Sequence, residues 1–263
     1  MSAVIIIPAR MGSTRLKDKP LAVLDGKPLI VHVAEKAQSA NIAPVIVATD
    51  HKDIKNAVEK IGVQAVLTPS DLASGSDRVF CALERFDPKE RFDIIINLQG
   101  DLPFFDPAAL EPLCREDEHF DIQTLAIPLL KAEHNDPNTV KVIFKDSVPK
   151  SKTTSKGSLF PSSPLPVIDF RRRIDAGRPL ERHWHHVGVY AYMRPALKRF
   201  VTALPASREV AERLEQLRAF DLGLHIGAHA LPSSNWLSID TEDDLQKARS
   251  FLKKRDKPGL KAS

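Results

Sequence analysis

The segment Pro8-Ala9-Arg10-Met11-Gly12-Ser13-Thr14-Arg15, continuing through Lys17 to Lys19, gathers cations around small residues. Arginine offers a planar fork to phosphate oxygens, and lysine a point charge. Backbone amides in a tight small-residue loop can add further donors. The segment therefore reads as an anion site, with a solvated basic loop as the alternative. It lacks the G-x-x-x-x-G-K spacing of a Walker A loop and also lacks G-x-G-x-x-G. Asp101 follows the apolar run Ile94–Leu98, where a carboxylate is placed to hold Mg²⁺ against a triphosphate, since hard oxygens suit hard cations. Asp240 is either a second such carboxylate or a helix N-terminal residue favoured by the dipole. His183, His185 and His186 make a transition-metal site conceivable, but no nearby cysteine or carboxylate pair completes it.

These groups need a scaffold, and the first half of the chain supplies an alternating one. Continuous apolar runs at Ala3–Ile7, Val45–Ala48, Gln64–Leu67 and Ile94–Leu98 read as buried strands. Helical periodicity separates them at Pro28–Gln38, His51–Ile61 and Ser74–Phe86. Ser74 with Asp77, and Thr241 with Asp244, have capping-box spacing. The alternation predicts an α/β fold with a mostly parallel sheet covered on both faces. In such sheets ligands bind beyond the carboxyl ends of the strands. The 8–20 loop, Thr49-Asp50-His51 and Gln99-Gly100-Asp101 all fall there.

Near residue 121 the rhythm changes. Ile122–Pro128, Thr139–Phe144 and His186–Met193 read as strands without regular intervening helices. Pro161-Ser162-Ser163-Pro164-Leu165-Pro166 is expected to be neither helix nor central strand. Helices are expected at 194–203 and 207–219, a strand at Leu224–Ala228, and a last helix from Thr241 to about Lys254. The expected organisation is one domain over 1–250, with an antiparallel excursion at about 121–193 and a basic tail at 251–263.

The 263 residues, 43% apolar and 27% charged, suit a globular protein. Two cysteines, Cys81 and Cys114, argue against a disulfide framework and fit a reducing compartment. Val4–Ile7 is too short for a signal peptide and has no basic region before it, and no apolar run approaches a membrane span. A cytoplasmic protein without membrane contact is expected. The net charge of +4 is spread out, and the runs Arg171-Arg172-Arg173 and Lys253-Lys254-Arg255 read as a solvated face and tail rather than a nucleic-acid surface.

Taken together, the motifs resemble one family. They are Ile7-Pro8-Ala9-Arg10 with Ser13-Thr14-Arg15-Leu16 and Lys19-Pro20-Leu21; Gly26-Lys27-Pro28; Val47-Ala48-Thr49-Asp50-His51; Ser74-Gly75-Ser76-Asp77-Arg78; and Asn97-Leu98-Gln99-Gly100-Asp101. Further on come Asp136-Pro137-Asn138, Val140-Lys141-Val142, His186-Val187-Gly188-Val189-Tyr190, Leu214-Glu215-Gln216-Leu217-Arg218 and Asp240-Thr241 with Asp243-Asp244-Leu245. From about residue 3 to 250 the chain resembles the 3-deoxy-manno-octulosonate (KDO) cytidylyltransferases, or CMP-KDO synthetases. The resemblance implies a Rossmann-like nucleotidyltransferase fold whose smaller antiparallel excursion forms a homodimer interface. It implies that CTP and KDO give CMP-KDO and pyrophosphate, with Mg²⁺, for lipopolysaccharide biosynthesis.

By the same resemblance, Arg10, Arg15, Lys19 and Asp101 are the catalytic set. Pro8, Ala9, Ser13, Ser74, Gly75, Arg78 and Gln99 border the nucleotide, and Asp101 with Asp240 holds the metal. Gln99, His186, Tyr190, Glu215 and Gln216 line the sugar pocket. The chain departs from the family pattern at Lys17, Leu102, Ala206-Ser207-Arg208-Glu209 and Ser238-Ile239. Where the family carries Phe-Ser-Arg, it has Phe160-Pro161-Ser162. Arg171, Arg172 and Arg173 are the candidates to meet the sugar carboxylate instead. The departures keep two other readings open: a cytidylyltransferase for another sugar acid, such as a KDO analogue or a nonulosonate, or a catalytically weak CTP-binding paralogue.

Overall fold

A computed structural model describes residues 2–13, 15–148, 163–174, 180–231 and 236–255, with side chains to 252 at the C-terminal end. The Phe160-Pro161-Ser162 departure and the tail beyond residue 255 lie outside the described residues. The chain forms two compact units. One comprises Met1–Val4, Lys89–Asn97 and Ala108–Ser234; the other comprises Ile5–Pro88, Leu98–Pro107 and Asn235–Ser263.

The second of these is parallel α/β. Its strands β1 (Ala3–Ala9, from Ile5 onward), β4 (Val45–Thr49) and β5 (Gln64–Leu67) pair in parallel, with Ile6 opposite Ile46 and Ala48 opposite Val66. A hairpin of β2 (Val23–Leu24) and β3 (Lys27–Pro28) leads into helix α1 (Leu29–Ser39), which buries Leu29, Ile30, Val33, Ala34 and Ala37. Helix α2 (Lys52–Glu59) starts at His51, whose Nδ1 accepts from the Asp53 amide at 3.2 Å. Helix α3 (Gly75–Phe86) has the expected cap: Asp77 donates its amide to Ser74 Oγ at 3.2 Å, and Ser74 Oγ donates to the Asp77 carboxylate at 2.8 Å.

The C-terminal helix α7 (Glu242–Arg255) also belongs to this unit. Its cap is reciprocal too. Thr241 Oγ1 accepts from the Asp244 amide, and Asp244 Oδ2 accepts from the Thr241 amide at 3.0 Å. Leu16, Leu24, Leu29, Ile239, Leu245 and Ala248 form one buried cluster, so the end of the basic loop is pinned beneath α7. Each buried leucine of this kind contributes about 2 kcal/mol through removal from water.

The other unit is a mixed sheet in the order β6-β10-β7-β11-β9-β8. Its strands are β6 (Ile94–Leu98, through Asn97), β7 (Ile122–Pro128), β8 (Lys141–Phe144), β9 (Leu165–Arg171), β10 (His183–Met193) and β11 (Ile226–Ala230). β7 and β11 run parallel; β10–β7, β10–β8, β8–β9 and β9–β11 run antiparallel. Helix α4 (Arg194–Thr202) follows β10 directly.

Three local expectations need correction. Pro166 lies inside a strand flanked on both sides, opposite Gly227 of β11. Proline is tolerated because the ladder uses its carbonyl, which accepts from the Lys145 amide at 2.9 Å. β10 begins at His183 rather than His186. The helix expected over 207–219 is interrupted. Helix α5 (Ser207–Glu212) ends at Arg213 in the left-handed region, φ 53°; Glu215–Leu217 then form a 3-10 turn, and α6 is Arg218–Asp221. The interruption is held by a buried pair in which Arg218 Nε donates to Glu209 Oε2 at 2.8 Å, with the guanidinium 4.8 Å over the Phe200 ring.

Candidate functional site

The basic loop leaves β1 at Ala9 and is shaped by contacts within its own unit. The Met11 amide donates to Asp50 Oδ1 at 3.0 Å, and the Ser13 amide donates to the Met11 carbonyl at 2.8 Å. Those two amides are thus spent inside the protein. Leu16 anchors the loop in the cluster under α7. Asp18, at φ 50°, then turns the chain into the 3-10 segment Lys19–Leu21, where Pro20 fixes the backbone.

That turn aims Lys19 at both candidate carboxylates. Lys19 Nζ donates to Asp101 Oδ2 at 2.7 Å and to Asp240 Oδ1 at 2.9 Å. Arg15 Nη2 also donates to Asp240 Oδ1, at 2.9 Å. Asp240 is placed by its neighbours: the Ile239 amide donates to the Asp101 carbonyl at 2.9 Å, and the Asp240 amide donates to Asp244 Oδ2 at 3.3 Å. The helix-capping role thus falls to Thr241 and Asp244, which leaves the Asp240 carboxylate to the cations. Burial opposes the charge on Lys19, but Asp101 and Asp240 outweigh it and hold the ammonium pKa above the ordinary lysine value.

The opposite wall is the start of α3. A cleft of about 290 Å³ is lined by Pro8, Ala9, Arg10, Ser13, Arg15, Lys19, Ser74, Gly75, Arg78, Gln99, Asp101 and Asp240, together with Pro20, Leu72, Ala73 and Gly100. Every one of these residues belongs to the parallel unit. Gly100 is required by close approach, because a Cβ there would meet the Pro8 carbonyl oxygen at 2.9 Å. A Cβ on Gly75 would sit in ordinary contact with Pro8 and Gln99. Arg78 is almost wholly buried; its Nη1 donates to Thr68 Oγ1 at 2.5 Å and to the Pro69 carbonyl at 2.9 Å. Burial pulls its pKa below the ordinary arginine value, with Asp50, 3.8 Å away, opposing that pull.

The cytidylyltransferase family matches residues 4–226. The 3-deoxy-manno-octulosonate cytidylyltransferase of Bartonella tribocorum is 42% identical over 257 residues, spanning 96% of this chain and 99% of that protein. That of Mesorhizobium japonicum is 43% identical over the same shares. The chain belongs to the 3-deoxy-manno-octulosonate cytidylyltransferase family. A solved structure of CMP:2-keto-3-deoxy-manno-octonic acid synthetase complexed with CTP superposes with a TM-score of 0.81 at 35% identity, covering 97% of this chain and 100% of that one. A Leptospira borgpetersenii cytidylyltransferase, 16% identical with a TM-score of 0.59, shares the fold.

The residues that the family resemblance assigns to the sugar, Gln99 apart, lie in the mixed-sheet unit. His186 and Tyr190 bracket a bulge in β10, where the register on β7 shifts between Val187 and Tyr190, and their rings are 5.3 Å apart. The Thr124 hydroxyl donates to the Val189 carbonyl at 2.6 Å, so His186 Nε2, 3.0 Å from Thr124 Oγ1, is the protonated nitrogen. Burial, reinforced by His185, pushes the His186 pKa down to about 3 and keeps the ring neutral. Burial raises the Tyr190 pKa, with Tyr192 and Glu215 adding to the shift. Glu215 and the buried Gln216 stand on the 3-10 turn after the Arg213 corner. His185 is set apart from this group by its Nδ1 contact to Glu133 at 2.9 Å.

Of the arginines nominated for the sugar carboxylate, two are already engaged. Arg171 Nε donates to Asp169 Oδ2 at 2.7 Å, and Arg172 binds the backbone carbonyls of Pro137, Glu212 and Arg213. In the sequence Asp50 stands out as a polar strand terminus and as a member of a family motif. Its hold on the Met11 amide joins residues 39 apart and leaves no local signal. Gly100 and Pro20 carried such a signal only as members of family motifs.

Proposed function

We propose that this chain is a Mg²⁺-dependent cytidylyltransferase that transfers CMP from CTP to 3-deoxy-manno-octulosonate with release of pyrophosphate. The observation that carries the reading is the convergence of Lys19 and Arg15 on Asp101 and Asp240 in a cleft walled by Ser74, Gly75 and Arg78. The anomeric hydroxyl attacks the α-phosphorus in line. A bond forms from that oxygen to phosphorus, the bond to pyrophosphate breaks, and the hydroxyl proton is released.

This chemistry needs alignment and charge neutralisation rather than a covalent nucleophile. Arg10, Arg15 and Lys19 hold the triphosphate and spread the charge of the departing pyrophosphate. Ser74, Gly75, Arg78 and Gln99 fix the nucleoside end. His186, Tyr190, Glu215 and Gln216, with Gln99, recognise the sugar acid.

Asp101 and Asp240 fit Mg²⁺. They supply hard oxygen donors already drawn to one cationic point, and Mg²⁺ is commonly held by one or two carboxylates plus substrate phosphates. When bound, it supplies Lewis-acid stabilisation of charge on the phosphate oxygens. We assign the protein to the cytoplasm, where its free Cys81 and Cys114 stay reduced, and to a homodimer in lipopolysaccharide biosynthesis. No helix among the described residues is long and apolar enough to cross a membrane.

The test is pyrophosphate release with CTP, Mg²⁺ and a panel of sugar acids. Turnover fastest with 3-deoxy-manno-octulosonate is expected. A preference for a nonulosonate would move the assignment to another sugar acid, and CTP binding without release on any of them would make the chain a binding paralogue. Light scattering checks the dimer.

Arg15→Ala removes an exposed guanidinium that pairs with Asp240. Loss of a charge-assisted contact to a phosphate weakens CTP binding about tenfold. An unchanged affinity by calorimetry would take Arg15 out of the triphosphate grip.

A further inference from the structure

Arg172 does not present its guanidinium outward. Nε donates to the Glu212 carbonyl at 2.8 Å, Nη1 to the Pro137 carbonyl at 3.0 Å, and Nη2 to the Arg213 carbonyl at 3.0 Å. The Arg172 carbonyl in turn accepts from Lys141 Nζ at 2.9 Å, and that ammonium also reaches the Asp136 carbonyl at 2.6 Å. Lys141 is wholly buried. One arginine and one lysine thereby tie the 136–137 turn, the end of β9 and the end of α5 together.

The end of α5 is where the chain needs such a tie. Arg213 is a non-glycine residue at φ 53°, a conformation that persists only when its surroundings enforce it. The last carbonyls of a helix lack partners within the helix and attract cations. Arg172 binds the carbonyls on both sides of this corner at once. The next residues but one are Glu215 and Gln216.

We propose that Arg172, backed by Lys141, is a positioning residue for sugar-acid recognition: its grip on Glu212 and Arg213 sets the corner from which Glu215 and Gln216 are presented. The inference rests on the reading of Glu215 and Gln216 as sugar-pocket residues. It also removes Arg172 from the candidates for direct contact with the sugar carboxylate. A lysine at this position keeps the charge but has a single nitrogen and cannot span the carbonyls that the planar fork spans.

Arg172→Lys and Arg172→Ala are each expected to raise KM for the sugar acid about tenfold while KM for CTP stays within about twofold. Gln216→Ala is made alone and combined with Arg172→Ala. If Arg172 acts through the corner, the double variant is little worse than the more damaged single variant. An unchanged sugar KM, an equal rise in both KM values, or losses that multiply in the double variant would each overturn the proposal; the last would put Arg172 on the sugar itself. Should Arg172→Ala fail to fold, Arg172→Lys, which keeps the charge at a partly buried position, carries the test. Turnover by the unmodified protein in the same assay judges the functional reading separately.

Discussion

Asp101→Asn is expected to lower pyrophosphate release about a thousandfold and to leave the fold in place. The substitution keeps the shape of the side chain and removes the charge that binds Lys19 at 2.7 Å. Two consequences separate cleanly. For stability, Asp101 is part-exposed and Lys19 retains Asp240, so the lost ion pair costs about 1 kcal/mol or less. The Asp101 carbonyl, which receives the Ile239 amide, is untouched, so α7 and Asp240 stay where they are. For activity, under the proposed Mg²⁺ role the site would lose half of its carboxylate pair, and charge stabilisation worth several kcal/mol would go with it, which corresponds to about a thousandfold in rate. The measurement is pyrophosphate release at saturating CTP beside a melting curve. Normal turnover in the folded variant would show that Asp101 holds no metal.

The residues behind this prediction were legible to unequal degrees. Ser74 with Asp77 and Thr241 with Asp244 announced helix starts because a cap is made by neighbours in sequence. The parallel strands were legible because burial on both faces leaves uninterrupted apolar runs such as Ile94–Leu98. The Lys19–Asp240 contact joins residues 221 apart and depends on Leu16 packing beneath α7, which no local pattern encodes. The family motifs supplied those residues; their mutual distances came only with the fold.

The segments that depart from their local pattern do so for physical reasons. Pro164 and Pro166 argue against a strand by propensity, yet in β9 a proline that contributes a carbonyl breaks no ladder bond on that side. At 207–219, Val210, Leu214 and Leu217 keep helical spacing, and no glycine marks the left-handed corner at Arg213. Long-range bonds from Arg172 and the Glu209–Arg218 pair hold the interruption in place, and both are silent in a local reading.

Two of the buried histidines, His186 and His229, are expected to lower stability in mild acid. The His229 ring lies against Gln123 Oε1 at 2.8 Å, and Gln123 Nε2 donates to the Arg115 carbonyl at 2.8 Å, so His229 Nε2 carries a proton. Burial pushes its pKa from 6.5 down to about 4, and that of His186 down to about 3. In the unfolded chain both rings return to the ordinary value and take up protons below pH 6.5. The unfolded state then binds more protons than the native one, so stability falls as pH falls. Each histidine contributes a slope approaching about 1.4 kcal/mol per pH unit, or about 2.7 together. The decline begins near pH 6.5 and continues until the folded rings themselves protonate near 4 and 3.

The carboxylates Asp136, Asp169, Glu209 and Asp244, all held below their ordinary values, lose their stabilising share only below about pH 4.5, as they protonate. The interval from 6.5 to about 4.5 therefore isolates the histidines. Urea unfolding at half-unit steps across it should show the slope, and His229→Gln, which retains a donor toward Gln123, should reduce it by about half. A flat profile in the unmodified protein would mean that these rings do not stay neutral in the fold, and an unaltered slope in the variant would mean that His229 does not contribute to it.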